Sequence, residues 1–156
     1  NYPYLWAGGA PVISATTPGT DTACTAGGIF WSAVYIPVRT TLTGATNLIG
    51  SVGGTDKVIY ALYGPTGALV ANTAVAGVTV GTTATIQTRI PFTAPVAVDN
   101  GLYFLACQFN GTTAKFRTHA IGNHPTGTQA GTFATLAAIT PVATFAADVG
   151  PVACLY

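Results

Sequence analysis

The chain has 156 residues, of which 6% are charged; its net charge is +1, and it contains neither glutamate nor methionine. That length suits one domain with an adequate core, and so small a charge excludes a long-range field that would draw in nucleic acid or an acidic membrane surface. Thr (27) and Ala (26) fill about a third of the sequence beside 19 Gly and 10 Pro, so β-branched and turn residues abound where straight-chain helix formers are scarce. This is the composition of an all-β protein.

Residues 1–28 read as an extended Pro/Gly/Thr-rich arm, with Tyr2, Tyr4 and Trp6 at alternating positions. Such an arm can pack along a sheet edge, onto a neighbouring copy, or back onto its own domain. Pro3, Pro11 and Pro18 interrupt it and no basic run opens it, so it is not expected to be a secretory signal. With no methionine at its start, the chain is expected to be a processed product or a fragment of something longer.

Residues 29–156 read as a β-sandwich domain. Ile29–Val38 is apolar on both faces and carries Pro37 near its end, the mark of a strand terminus or a sheet edge. Thr40–Ile49 is a second strand, broken by Gly44. The loop Gly50–Asp56 leads into a third, Lys57–Tyr63, which is closed by the turn Gly64-Pro-Thr-Gly67 and followed by a short return strand, Ala68–Ala71.

The stretch from Thr83 to Ala120 organises the rest. Ala84, Ile86, Ile90 and Phe92 alternate with Thr85, Gln87 and Arg89, the two-residue period of a half-buried strand. A Pro/Asp/Asn/Gly-rich region then predicts a turn. Leu102–Phe109 is apolar on both faces, as expected at the centre of a sheet. Asn110-Gly111 predicts a two-residue hairpin in which both residues take φ > 0. That hairpin leads into a run with Ala114, Phe116 and Ala120 on one face and Lys115, Arg117 and His119 on the other. Short strands are expected at Phe133–Leu136 and Val152–Tyr156. About eight strands with frequent turns predict an antiparallel β-sandwich, jelly-roll-like in its wrapping.

Groups able to do chemistry are few. Asp21, Asp56, Asp99 and Asp148 each lie beside turn residues, where Asp bonds nearby backbone N–H groups. His119 and His124 have no third metal ligand in sight. Gly50–Lys57 lacks the Gly-Lys-Ser/Thr order of a phosphate-binding loop. No enzyme activity, metal or cofactor is therefore expected. Cys24, Cys107 and Cys154 have no metal-binding spacing. Cys107 reads as a small buried hydrophobe, and a Cys24–Cys154 bridge across the chain ends is the alternative to free thiols at those positions.

One constellation could bind. Lys115, Arg117 and His119 point the same way, and Arg89 lies on the polar face of its own strand. If the strands share a sheet, four basic side chains gather on one face and could engage an anionic glycan or an acidic neighbour. The other reading is a solvated face that resists edge pairing.

Several phrases resemble a β-sandwich domain of tailed-bacteriophage and prophage virion structural proteins. They are Val34-Tyr-Ile-Pro-Val38; Gly50-Ser-Val-Gly-Gly-Thr-Asp-Lys-Val-Ile-Tyr-Ala-Leu-Tyr63; Gly67-Ala-Leu-Val-Ala-Asn72; Gly101-Leu-Tyr-Phe-Leu-Ala106; Asn110-Gly-Thr-Thr113; Gly131-Thr-Phe-Ala-Thr-Leu136; and Phe145-Ala-Ala-Asp-Val-Gly-Pro151. The likeness covers residues 29–156. It implies a non-enzymatic part of the virion, a capsid decoration or a fibre-like component. Its expected partners are copies of itself, in a trimer or higher homo-oligomer, and the major capsid or other virion proteins. A carbohydrate- or receptor-binding module, touching a host surface glycan, is the alternative.

Overall fold

The computed structural model describes residues 5–7, 19–51, 54–81, 88–119, 125–141 and 149–156. The described residues form an all-β, antiparallel structure without helices. The strands are β1 (Leu5–Ala7), β2 (Thr20–Ala23), β3 (Ile29–Ile36), β4 (Thr40–Asn47), β5 (Lys57–Tyr63), β6 (Leu69–Asn72), β7 (Val78–Thr79), β8 (Ile90–Val98), β9 (Gly101–Phe109), β10 (Lys115–Thr118), β11 (Thr126–Gln129) and β12 (Ala153–Leu155).

A six-stranded sheet runs β11-β3-β9-β5-β6, with β7 also paired to β5. A four-stranded sheet runs β1-β12-β4-β8, and β2 and β10 form a separate pair. β9 is the axis of the larger sheet. It pairs with β3 from Ile29↔Gln108 to Ile36↔Gly101, and on its other edge with β5 from Val58↔Phe109 to Tyr63↔Phe104. The register of β4 against β8 shifts between Leu42 and Gly44, at the glycine that the sequence marks as a break.

With both edges of β9 occupied, β10 has nowhere to pair beside it. The expected Asn110-Gly111 hairpin therefore does not form, and β10 pairs with β2 instead. Neither Asn110 nor Gly111 takes a positive φ. Asn110 instead bonds backward to β5: its Oδ1 accepts from Lys57 N at 2.7 Å, and its N–H donates to Lys57 O at 3.1 Å. Gly111 lies so close to the Asp56 carboxylate that a Cβ there would overlap it. Asp56 Oδ2 in turn accepts the N–H groups of Thr113 and Ala114, each at 2.7 Å. The loop is a knot around one carboxylate.

The larger sheet is buried on both faces, which explains why β3 and β9 read as apolar on both. Its inner face packs Phe30, Val34, Tyr60, Leu62, Leu105 and Phe109 against Leu42, Ala45, Phe92, Ala153 and Leu155 of the smaller sheet. Phe116 of β10 enters the same core, with ring centroids 5.4 Å from Phe109 and 5.0 Å from Phe30. Such aromatic pairs add about 0.5–1.5 kcal/mol each beyond their burial. Tyr60 spans the layers by donating its hydroxyl to Asn47 Oδ1 at 2.6 Å.

The outer face carries Ile29, Trp31, Ala33, Ala61, Tyr63, Phe104 and Ala106, covered by Leu136 and Ile139. These two belong to residues 130–141, which cross the sheet as an irregular strap. The strand expected at Phe133–Leu136 does not form, because the segment lies over a sheet face, where no backbone edge is offered to it. Gln108 supplies the missing partners. Its Nε2 is shared among the carbonyls of Gly27, Thr132 and Thr135 at 3.1, 3.0 and 3.3 Å, and its Oε1 accepts from Ala134 N at 3.2 Å.

The described parts of residues 1–28 are built into the domain: β1 is an edge of the four-stranded sheet, and β2 carries β10. This packing along a sheet edge is one of the readings that the sequence leaves open for the arm; Tyr2 and Tyr4 lie outside the described residues. The Pro-rich stretch before Asp99 is not the expected turn but the strand β8, whose edge position tolerates Pro91 and Pro95. Of the alternating run that begins at Thr83, residues 83–87 lie outside the described residues.

Candidate functional site

The four basic residues singled out in the sequence do not share a sheet. Arg89 immediately precedes β8 of the four-stranded sheet, whereas Lys115 and Arg117 are on β10, paired with β2, and His119 follows it. Arg89 is exposed, with its guanidinium carbon 4.8 Å from the centroid of the Tyr156 ring, a cation–π contact. Arg117 is only 8% exposed. A buried guanidinium needs a partner, and Arg117 has one: its Nε is 3.1 Å from Asp21 Oδ1, while its Nη1 donates to Gly19 O at 3.2 Å. Lys115 and His119 are half-buried.

Asp21 is the hub of this cluster. It accepts from the Ser51 hydroxyl and from Ser51 N at 3.2 Å. The Ser51 hydroxyl holds its carboxyl below the ordinary value. The Ser51 backbone N–H and the charges of Arg117 and Lys115 act the same way, against the opposing effect of burial. Asp21 thus ties β2 and β10 to the loop after β4, and Ser51 is part of that tie. Asp21 was legible in the sequence only as a turn residue; its partner Arg117, 96 positions away in the chain, was not.

Trp6 pairs with Cys154 across β1 and β12, half-buried in the sheet. All three cysteines are buried free thiols, so the Cys24–Cys154 bridge is not formed. The two lie in different parts of the fold. Cys24 follows β2 and donates its thiol to Gly111 O at 3.2 Å, while Cys154 is within β12 between Trp6 and Thr46. Burial raises the Cys24 thiol to about 11 and the Cys154 thiol to about 12, so neither is a nucleophile at neutral pH.

Six large apolar side chains are exposed among the described residues: Leu69, Val70 and Val75 in and just after β6, and three more gathered at one end, which sequence reasoning missed. At the end of the sandwich formed by the β3–β4 and β8–β9 turns, Tyr35, Val38 and Leu102 are 62%, 45% and 42% exposed. Tyr35 and Leu102 are cross-strand partners on β3 and β9. Two-residue alternation places Tyr35 on the same outer face as Trp31 and Ala33, and Leu102 on that of Phe104 and Ala106. They are therefore the last row of a face that the strap covers elsewhere. Arg39 and Asp99 flank this end as an ion pair 3.6 Å apart. Beside it a pocket of about 50 Å³ opens between Leu5, Pro37, Val38, Leu42 and the Tyr156 ring.

Among the described residues no three His, Cys or Asp side chains group where they could hold a metal ion; His124 and Asp148 lie outside those residues. Among the described residues, what the apolar end presents is the exposed side chains of Tyr35, Val38 and Leu102. The signal for it was present in the sequence as two both-face-apolar strands ending at the same height. Their pairing was needed to see it.

No protein-family model, no curated protein and no solved structure matches the chain. Fold and site together define an all-β, sandwich-like protein with an exposed apolar end flanked by one ion pair.

Proposed function

We propose that this chain is a non-enzymatic virion structural protein of a tailed phage, a capsid-decoration or fibre-like component. It acts by associating with copies of itself and with neighbouring virion proteins, within a jelly-roll-like variant of the sandwich. The observation that carries this reading is the exposure of Tyr35, Val38 and Leu102 together, at one end of a molecule with only nine charged side chains. Contiguous exposed apolar surface marks contact sites, and so few charges leave little else to keep a lone copy dispersed. Two of the phrases that resemble virion domains, Val34–Val38 and Gly101–Ala106, build this end.

The alternative, a glycan-binding module using Arg89, Lys115, Arg117 and His119, has no shared face to work from among the described residues, because Arg117 is buried against Asp21. Size-exclusion chromatography with light scattering tests the proposal. A species of trimer mass or larger is expected, and a monodisperse monomer overturns it.

A further inference from the structure

The apolar end also carries its own means of choosing a partner. We propose that this end docks a second copy of the chain across a two-fold axis, with Arg39 of each copy meeting Asp99 of the other. The inference rests on the self-association reading above and adds to it the surface, the symmetry and the residues.

The geometry supplies three reasons. First, Tyr35 and Leu102 continue a face that is otherwise buried, and the covering that the strap gives Trp31 and Phe104 does not reach them. Second, among the described residues the rim of this end holds one cation and one anion, Arg39 and Asp99. A two-fold contact sets each residue opposite its counterpart's partner, so one rotation satisfies both charges twice. A strongly acidic or basic partner would instead meet a rim of zero net charge. Third, the pair as it stands binds itself weakly. Both side chains are more than three-quarters exposed, and exposed pairs are worth about 0.2–1 kcal/mol. Exchanging partners therefore gives up little, and the exchanged pairs are stronger once water leaves the contact. A stable contact covers roughly 800 Å² on each partner, a small share of the 7122 Å² that one copy presents. Because the contact pairs copies, an assembly of trimer size or larger that contains it holds an even number of them.

Charge reversal tests this in solution. The variants Arg39→Asp and Asp99→Arg each place like charges across the axis, and each is expected to lower the mass found by sedimentation velocity to half the wild-type value or below. Far-UV circular dichroism of both should match wild type, since neither side chain is buried within one copy. An equimolar mixture of the two variants is expected to recover the wild-type mass, because a copy with two acidic rim positions then faces a copy with two basic ones. Leu102→Lys, which leaves both rim charges in place, should give the same loss as the single reversals. Wild-type mass in the single variants, or no recovery on mixing, overturns this contact while leaving self-association standing. A monomeric wild type overturns both.

Discussion

At the scale of single residues, two carboxylates, Asp21 and Asp56, each hold several backbone or side-chain donors. Asp21 binds Ser51 and Arg117, and its carboxyl is held below its ordinary value, first by the Ser51 hydroxyl. A lowered folded-state value means that the stabilisation is complete above the unfolded value of about 4 and is lost as pH falls through the folded one. Asp21→Asn should therefore flatten the fall in melting temperature between about pH 5 and pH 2; superimposable acid limbs for variant and wild type contradict this role. In the loop after β9, the Asp56 carboxylate accepts the backbone N–H groups of Thr113 and Ala114. Gly111→Ala drives a methyl into the Asp56 carboxylate, and a loss of about 1–3 kcal/mol is expected in urea unfolding. An unchanged midpoint contradicts the close approach. The Asn-Gly pair was legible as a turn, but the reason for the glycine was not. It is required by a carboxylate more than fifty residues earlier in the sequence, not by a left-handed backbone.

At the scale of elements, the central claim is that the strap over the outer face hangs on Gln108. A buried amide that serves Gly27, Thr132, Thr135 and Ala134 cannot be replaced by an apolar isostere without leaving those backbone groups short of partners. Gln108→Leu is expected to cost about 2–3 kcal/mol. It should also speed amide hydrogen exchange at residues 135 and 139 before any change within β9. Equal exchange across strap and sheet contradicts the claim. The apolar runs Ile29–Ile36 and Leu102–Phe109, and the strand Lys57–Tyr63, were readable because a strand buried on both faces writes itself as a continuous apolar run. Pairing was not readable. The same centrality that made β9 visible ruled out the β9–β10 hairpin that the turn residues suggested. Phe133–Leu136 has the composition of a strand, yet lies over a face with no free edge. The basic face failed for a related reason: alternation fixes which way a side chain points, but not which sheet its strand joins. A lone Gln inside an apolar central strand was the one available signal for the strap, since a buried amide must find partners.

At the scale of the whole molecule, a chain with five basic and four acidic side chains builds a sheet covered on both faces and exposes Tyr35, Val38 and Leu102 at one end. The account turns on what becomes of that end in solution. Burying it against a copy removes apolar surface from water at roughly 25 cal/mol per Å², without separating charges that lack partners. Sedimentation equilibrium of the wild-type chain across a hundred-fold range of concentration tests this most directly. The account predicts a mass at least three times the 15.7 kDa of one copy, falling toward it only on dilution; a single species of 15.7 kDa at every concentration contradicts it.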